Sequence, residues 1–203
     1  MITKNLNFKF KGNRKYVHGS DIYNMVSKDL IQYTKKTHLT NLKMNLKKQI
    51  NKQCKVYIDE NDENILLKKD IDIFAEIFVR FENKKLSFYL TEIGTPITES
   101  YSYDEELIEK SLVLEGDRAY LLDENEFSNI ENIVSINKHL IFNVQPEKIK
   151  KWFFTSLDLH QSLDQFNIKD ITLKFENILA ASHSKTSICY KDKVLGKIFF
   201  SLV

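Results

Sequence analysis

Apolar and polar positions alternate with a period of two along most of the chain. The alternation covers residues 42–58, residues 71–81 and residues 86–93, and it predicts half-buried antiparallel strands. Lys48 and Lys52 interrupt the apolar side of the first run, so we expect a bend or bulge there. Residues 82–85 read Glu-Asn-Lys-Lys between two alternating runs, which predicts a hairpin turn.

Two segments have a helical period instead. In the first, apolar residues recur at helical spacing from Ile22 to Ile31, and in the second they recur from Phe127 to Ile141. Ser20 or Asp21 is a good N-cap for the first helix, and a strand-like run over residues 6–10 precedes it. His18 and Gly19 therefore lie just ahead of a helix N-terminus, where backbone N–H groups can hold a carbonyl or an anion.

A short internal repeat links these two segments. Residues 12–16 read Gly-Asn-Arg-Lys-Tyr, and residues 116–120 read Gly-Asp-Arg-Ala-Tyr. At this offset Leu122 stands where the first copy has His18, so one copy carries the histidine and the other does not. We predict a first half over residues 1–97, a connection over residues 98–111 and a second, degenerate half over residues 112–203. If Leu122 is a core residue, its loss should affect stability rather than chemistry.

Composition excludes several function classes. The 203 residues include 30 Lys and Arg against 28 Asp and Glu, so the charge does not indicate a non-specific nucleic-acid binder. The two cysteines fall in strand-like runs, and the five histidines have no metal-ligand spacing, so we expect neither a disulfide nor a metal site. No run is long enough for a membrane helix, and the first residues lack the apolar core of a signal peptide. A cytoplasmic location is the resulting expectation.

The order of strand, helix and long antiparallel strands occurs twice and resembles a hotdog fold. Two copies in one chain resemble a double hotdog of the α+β class. That resemblance implies two long helices packed on curved antiparallel sheets, in halves related by a pseudo-twofold axis. The local motif is Tyr-Val-His-Gly-Ser-Asp at residues 16–21, which is similar to His-Gly segments of some hotdog hydratases and thioesterases.

The resemblance implies work on acyl thioesters of coenzyme A or of an acyl carrier protein, as a dehydratase, a hydratase or a thioesterase. No further cofactor is implied. The sequence departs from the dehydratase pattern, because it contains no His-Phe-Pro and no Pro-Gly followed by a helical glutamate. The expected site lies between the halves, at the N-terminus of the first helix.

His18 is the candidate general acid or base, because the pKa of an unperturbed imidazole, about 6.5, lies near neutral pH. The alternative is a histidine that caps or packs locally. Gly19, with the backbone of Ser20, could supply oxyanion donors, and the alternative is a glycine that only forms a turn. Asp21 could orient water or support His18, and its alternative is the N-cap.

Tyr16 and Tyr23 could also bind substrate by donating to an oxyanion, although aromatic residues in such places more often belong to the core. Arg14 and Arg118 occupy the same place in the repeat, which indicates either an ion pair or a phosphate contact. Lysines recur along residues 43–55 and could receive an acidic carrier protein, or they could form one solvated sheet face.

A second function class stays open from the sequence. The chain could be a non-catalytic binding module with the same fold, holding a carrier protein or another protein partner. Its partners would then be proteins rather than nucleic acid or membrane. The oligomeric state is open between a homodimer and a heteromer.

Overall fold

The computed structural model describes residues 2–34, 40–60, 71–81, 84–146, 151–191 and 193–202. The chain divides into two compact units, residues 1–103 and residues 104–203. Each unit contains antiparallel strands and one helix of 16 residues.

The described residues of the first unit form β1 (Ile2–Leu6), β2 (Phe10–Lys11), α1 (Gly19–Thr34), β3 (Thr40–Leu46), β4 (Lys52–Asp59), β5 (Ala75–Phe81), β6 (Lys84–Pro96) and β7 (Ser100–Tyr101), in this order. Five of its strands pair antiparallel in the order β1-β4-β6-β5-β3. The short strands β2 and β7 form a separate parallel pair.

The alternation of the first unit gives strands, but their bounds differ from those predicted. Strand β5 begins at Ala75 rather than at residue 71, and the strand-like run over residues 6–10 is divided between the end of β1 and the start of β2. Strands β5 and β6 form the expected hairpin, with Val79 opposite Leu86 and Ile77 opposite Phe88. The run over residues 42–58 is not one strand, because it is interrupted at residues 47–51, where we expected a bend. Its two parts separate in the sheet, since β3 pairs with β5 whereas β4 lies between β1 and β6.

The second unit holds α2 (Glu106–Glu109), β8 (Leu112–Glu115), β9 (Arg118–Leu121), α3 (Asn129–Val144), β10 (Trp152–Gln161), β11 (Ile171–Leu179), β12 (His183–Tyr190) and β13 (Lys193–Leu202). Its strands pair antiparallel in the order β10-β13-β12-β11-β9-β8. The strand predicted over residues 112–122 is therefore a hairpin, β8–β9, which turns at Gly116 with φ of 60°.

Helix α3 is bounded by recognisable signals. A capping box joins Ser128 and Glu131 at its start, where the Ser128 backbone N–H donates to the Glu131 carboxylate at 3.0 Å. The helix ends two residues before Pro146, which disfavours helical geometry in the residue that precedes it. The predicted helix from residue 127 is thus confirmed apart from its first two residues.

The expected double-hotdog architecture of the α+β class, with two long helices packed on curved sheets and matching halves, is wrong. Among the described residues, eleven strands lie in antiparallel sheet, and only three α-helices occur, of 16, four and 16 residues. Period-two alternation occupies far more of the chain than the helical period does, and this decides the class.

The halves do not match element by element either. The first repeat copy lies in a turn and bends, whereas the second forms the hairpin β8–β9. Leu122, the expected counterpart of His18, is 60% exposed and is not a core residue. Both repeat glycines do adopt a positive φ, 55° at Gly12 and 60° at Gly116. The two copies of the repeat are therefore alike only in that each contains a glycine turn.

None of the helices in the described ranges has the length and apolar character needed to span a bilayer.

Candidate functional site

The parallel pair β2–β7 supports the candidate site in the first unit. Lys11 lies beside Tyr101 in this pair. The Gly12 N–H donates to the Tyr101 carbonyl at 2.8 Å, and the Phe10 N–H donates to the Glu99 carbonyl at 2.9 Å. Gly12 then turns the chain with φ of 55°, a backbone conformation that favours glycine.

Helix α1 begins at Gly19, so both predicted N-caps, Ser20 and Asp21, lie inside its first turn. The carbonyl of His18 accepts from the Asp21 N–H at 2.9 Å and from the Ile22 N–H at 3.2 Å. His18 therefore occupies the capping position, and the carboxylate of Asp21 lies at the positive end of the helix dipole.

A buried ion pair forms directly beside this helix start. The Lys11 side chain has no solvent exposure, and its Nζ lies 2.9 Å from Oδ1 of Asp21, whose side chain is 13% exposed. The Tyr101 hydroxyl donates to the same Oδ1 at 2.8 Å. The Lys11 Nζ also lies 4.5 Å from the ring centroid of Tyr103, within cation–π range. Two strands and one helix thus converge on a single charge pair.

Ser20 connects the ion pair to His18. The fully buried Ser20 hydroxyl accepts from Lys11 Nζ at 3.0 Å, and its oxygen lies 2.8 Å from Nδ1 of His18. The distance from the Ser20 hydroxyl oxygen to Oδ1 of Asp21 is longer, at 3.5 Å. His18 itself is half-buried.

The Ser20 hydroxyl has one proton to give in this cluster, because an ammonium only donates and the Ser20 oxygen therefore accepts from Lys11. If that proton goes to His18, along the shorter 2.8 Å contact, Nδ1 accepts and Nε2 of a neutral ring carries the ring proton. If it goes to Asp21, along the 3.5 Å contact, the Nδ1–H donates to the Ser20 oxygen and Nε2 is unprotonated.

The structure brings three of the six predicted site residues into one bonded cluster, namely His18, Ser20 and Asp21. Gly19 is buried as the first residue of α1. Tyr23 is only 3% exposed and belongs to the hydrophobic core. Tyr16 lies in a half-buried bend.

Sequence reasoning missed Lys11, Tyr101 and Tyr103. Lys11 follows the apolar residues of a strand-like run and gave no sign of complete burial. The alternation of Tyr101 and Tyr103 indicates an extended segment, but nothing local pairs that segment with β2. Arg14 places its Cζ 5.5 Å from the centroid of the Tyr103 ring, whereas Arg118 is exposed on β9.

The lysines of residues 43–55 do not lie on one strand. Lys43 lies on β3, Lys52 and Lys55 lie on β4, and two others occupy the segment between those strands. Of these two, Lys47 forms an ion pair with Glu76 at 2.5 Å, and Lys48 pairs with Asp72. The segment is thus divided between two non-adjacent strands and a loop.

The cysteines and acidic residues offer no metal site within the described ranges. Neither Cys54 nor Cys189 forms a disulfide, and the first is buried while the second is half-buried. Burial, together with the nearby Glu92 carboxylate, raises the pKa of the Cys54 thiol from 9.0 to about 12. A protonated, buried thiol is a structural side chain rather than a nucleophile.

No protein-family profile matches the chain, and no curated protein matches it. Several solved structures do. A monomeric dehydratase domain from a trans AT polyketide synthase split module matches with a TM-score of 0.49 and 10% identity, covering 100% of this chain and 99% of that one.

Two further matches have similar coverage. The dehydratase domain of PpsC from Mycobacterium tuberculosis, in complex with C12:1-CoA, gives a TM-score of 0.49 at 6% identity, over 99% of this chain and 92% of that one. A 12:0-ACP thioesterase from Umbellularia californica matches with a TM-score of 0.44 and 9% identity, covering 100% of this chain and 96% of that one.

These neighbours are thioesterases and polyketide synthase dehydratase domains, which are hotdog-fold proteins, the family that the sequence resembles. Their TM-scores are all below 0.5, so the proposals that follow rest on the residues of this chain.

Proposed function

We propose that the first unit carries an acyl-thioester site at the start of α1, acting on an acyl-CoA or an acyl-carrier-protein thioester as a dehydratase, hydratase or thioesterase. The observation that carries the proposal is the way His18 is held. Its Nδ1 is 2.8 Å from a fully buried serine hydroxyl, which is in turn fixed by a buried lysine. A ring held by buried partners has one orientation, as a reacting group requires.

His18 supplies the proton transfer in this proposal. In the neutral tautomer with the ring proton on Nε2, the Nε2–H can donate a hydrogen bond to a developing oxyanion. Protonation of a leaving thiolate requires the imidazolium, which forms once Nε2 has taken up a proton as the base. A step that needs a base at Nε2 requires the opposite tautomer. That tautomer forms when the Nδ1–H donates to the Ser20 oxygen and the Ser20 hydroxyl turns towards Oδ1 of Asp21.

Asp21 and Lys11 support this change of the His18 tautomer without touching substrate. The carboxylate accepts from Lys11 and Tyr101, so it is fixed in place and lies 3.5 Å from the Ser20 hydroxyl. An imidazolium at His18 is stabilised by this carboxylate, and the lysine limits the effect by neutralising part of the negative charge. Asp21 is therefore a positioning residue in the proposal.

The test is turnover of a panel of acyl-CoA and acyl-carrier-protein substrates by the full chain, followed by mass spectrometry. Thiol release identifies a thioesterase, and loss or gain of water identifies a dehydratase or hydratase. His18→Ala should lower turnover at least about a hundredfold, the usual scale for removal of a general acid or base.

His160→Ala is the matched control, because His160 is an exposed histidine on β10 in the other unit. It should leave turnover unchanged. Full activity in the His18→Ala variant, on a substrate that the parent protein turns over, would show that His18 is structural. Thermal melts of both variants separate lost chemistry from lost folding.

A non-catalytic binding module is the second candidate, and burial favours it. Lys11 and Ser20 are fully buried, and Asp21 is committed to an ion pair, so few groups of the cluster can reach a substrate. Retention of an acyl thioester or a carrier protein without turnover, unchanged in His18→Ala, would support this function and exclude the catalytic one.

A further inference from the structure

Strand β8 forms one edge of the sheet of the second unit, because β9 is the only described strand that pairs with it. In an antiparallel pair, hydrogen-bonded and non-hydrogen-bonded residue pairs alternate along the strands. The Leu122 N–H donates to the Ser111 carbonyl at 2.9 Å, so these two residues form a hydrogen-bonded pair. At every second residue from there, Val113 and Glu115 therefore also direct their backbone groups to β9.

Leu112 and Leu114 consequently direct their backbone N–H and C=O groups away from β9. The neighbouring strand agrees with this phase. The Asp117 carbonyl accepts from the Phe175 N–H of β11 at 2.8 Å, so the odd-numbered residues of β9 face β11 and the even-numbered ones face β8. The outward backbone groups of Leu112 and Leu114, two N–H donors and two carbonyl acceptors, are called the free edge below.

The free edge lacks most of the devices by which proteins prevent pairing at a sheet edge. Strand β8 reads Leu-Val-Leu-Glu, without proline or lysine, and its register with β9 contains no bulge. Its one charged side chain, Glu115, accepts from the Tyr120 hydroxyl of β9 at 3.0 Å. Leu114 is 38% exposed. The edge is therefore open to a further strand, and the shortness of β8 limits that strand to a few residues.

A strand added at the free edge would meet two different rows of side chains. Leu112 and Leu114 share one face, and Leu114 is opposite the buried Ala119, so this is the buried face of the sheet. Glu115 lies on the other face. Alternate residues of the added strand would then lie beside leucines, and the residues between them would lie on the side of a carboxylate.

The surface around the free edge is acidic. From α2 to the start of β9, the exposed cations are Lys110 and Arg118. The exposed carboxylates of the same stretch are those of Asp104, Glu106, Glu109, Glu115 and Asp117. This excess of negative charge attracts a basic segment, and it opposes pairing of β8 with β8 of a second copy, since two acidic edges would then meet.

We propose that the free edge of β8 binds an extended segment of a partner protein in which basic and apolar residues alternate. The backbone of Leu112 and Leu114 supplies the hydrogen bonds, as in other cases of strand addition, and the surrounding carboxylates select lysine and arginine. This site lies in the second unit and does not depend on the chemistry proposed for His18.

The first experiment measures binding of a short peptide of alternating lysine and valine to the full chain by fluorescence anisotropy. Binding should weaken as salt is added. A peptide with glutamate in place of lysine should bind at least about tenfold more weakly. Equal affinity for the two peptides, or no binding of the lysine peptide, would overturn the proposal.

Amide hydrogen exchange, followed by NMR on the labelled full chain, locates the bound peptide. The Leu112 and Leu114 amides should exchange at least about tenfold more slowly with the peptide than without it. The Val113 amide is the internal control, because it already lies in the ladder with β9. Peptide binding that leaves Leu112 and Leu114 unchanged would overturn the site. Protection that instead rises with protein concentration alone would assign the edge to a second copy and overturn the basic partner.

Two N-methylated peptides test the backbone contact without any change to the protein. Only every second N–H of an added strand faces β8. Methylation of the valine nitrogens and methylation of the lysine nitrogens should therefore have unequal effects, with one set abolishing binding and the other preserving it. Equal effects would exclude strand addition.

Glu115→Gln tests the charge preference. It should weaken binding of the lysine–valine peptide about two- to fivefold, as expected for one exposed charge pair. Asp164→Asn is the matched control, because Asp164 is exposed in the segment between β10 and β11, and it should leave the affinity unchanged. Equal affinities of the two variants would contradict the role given to the carboxylates.

Discussion

Lys11 forms an ion pair with Asp21 although none of its side chain is in contact with solvent. An ion in such a place is stable only when opposite charge and hydrogen bonds surround it. Asp21, Ser20 and the face of Tyr103 provide these. The stability of the whole cluster therefore depends on keeping both members of the ion pair.

Lys11→Met tests this dependence. The substitution keeps the length of the side chain but leaves the Asp21 carboxylate buried without its cation, so we expect a loss of about 3–5 kcal/mol in the free energy of unfolding. Urea denaturation measures it.

Two variants control the result. Lys9→Met removes the ion pair between Lys9 and Glu99, whose side chains are 55% and 67% exposed respectively. This should change the free energy of unfolding by less than about 1 kcal/mol. Lys11→Met combined with Asp21→Asn should recover much of the loss, since no charge is then buried. A single Lys11→Met variant as stable as the parent would mean that water reaches the carboxylate.

At the scale of elements, Gly196 shows how closely β13 and β10 approach. A Cβ placed on Gly196 would lie 2.2 Å from the Asp158 carbonyl oxygen and 2.9 Å from the Leu159 Cα. Both are backbone atoms, which a rotamer change cannot move. The glycine is required here by the neighbouring strand and not by a positive φ.

Gly196→Ala should therefore separate the strands locally and destabilise the protein by more than about 3 kcal/mol, the upper end of overpacking effects. Gly94→Ala is the comparison, because nothing lies within 4 Å of its Cβ and only its φ of 82° is unfavourable. That strain amounts to about 1–2 kcal/mol. Equal urea midpoints for the two variants would contradict the close approach.

Local sequence patterns predicted the individual helices and strands well, but they did not predict which distant segments lie next to one another. The β5–β6 hairpin and α3 follow from alternation, turn residues and capping signals that lie within a few positions of each other. The separation of β3 from β4 in the sheet, the pairing of β2 with β7 and the burial of Lys11 depend on segments far away in sequence. For the same reason His18 and Ser20 were identified as site residues, whereas Tyr101 was not.

At the scale of the whole molecule, each unit carries one cysteine thiol. Cys54 is buried in the first unit, and Cys189 is half-buried in the second. Alkylation requires the thiolate. Because the pKa of Cys54 is raised to about 12, we expect Cys54 to react at least about a hundredfold more slowly at pH 8 in the folded protein than in the unfolded chain. Peptide mass spectrometry after timed iodoacetamide labelling measures both rates.

The same thiol gives the first unit a dependence on alkaline pH. Its folded pKa lies above the unfolded value, so the folded state keeps a proton that the unfolded state releases. Stability is therefore lost as the pH rises from about 9 towards about 12. Cys54→Ala should remove this part of the slope, although it lowers stability at every pH. Equal labelling rates of Cys54 in the folded protein and in the unfolded chain would contradict both expectations.

The hydrogen bond from Tyr101 to Asp21 spans 80 positions of the chain, and this span fixes an order of events during synthesis. His18, Ser20 and Lys11 leave the ribosome early and can meet at once, but β2 has no partner strand until residue 101 has emerged. Closing so long a loop is slower than forming a helix turn. A nascent chain that stops before β7 thus contains the histidine but not the completed ion-pair cluster that holds it.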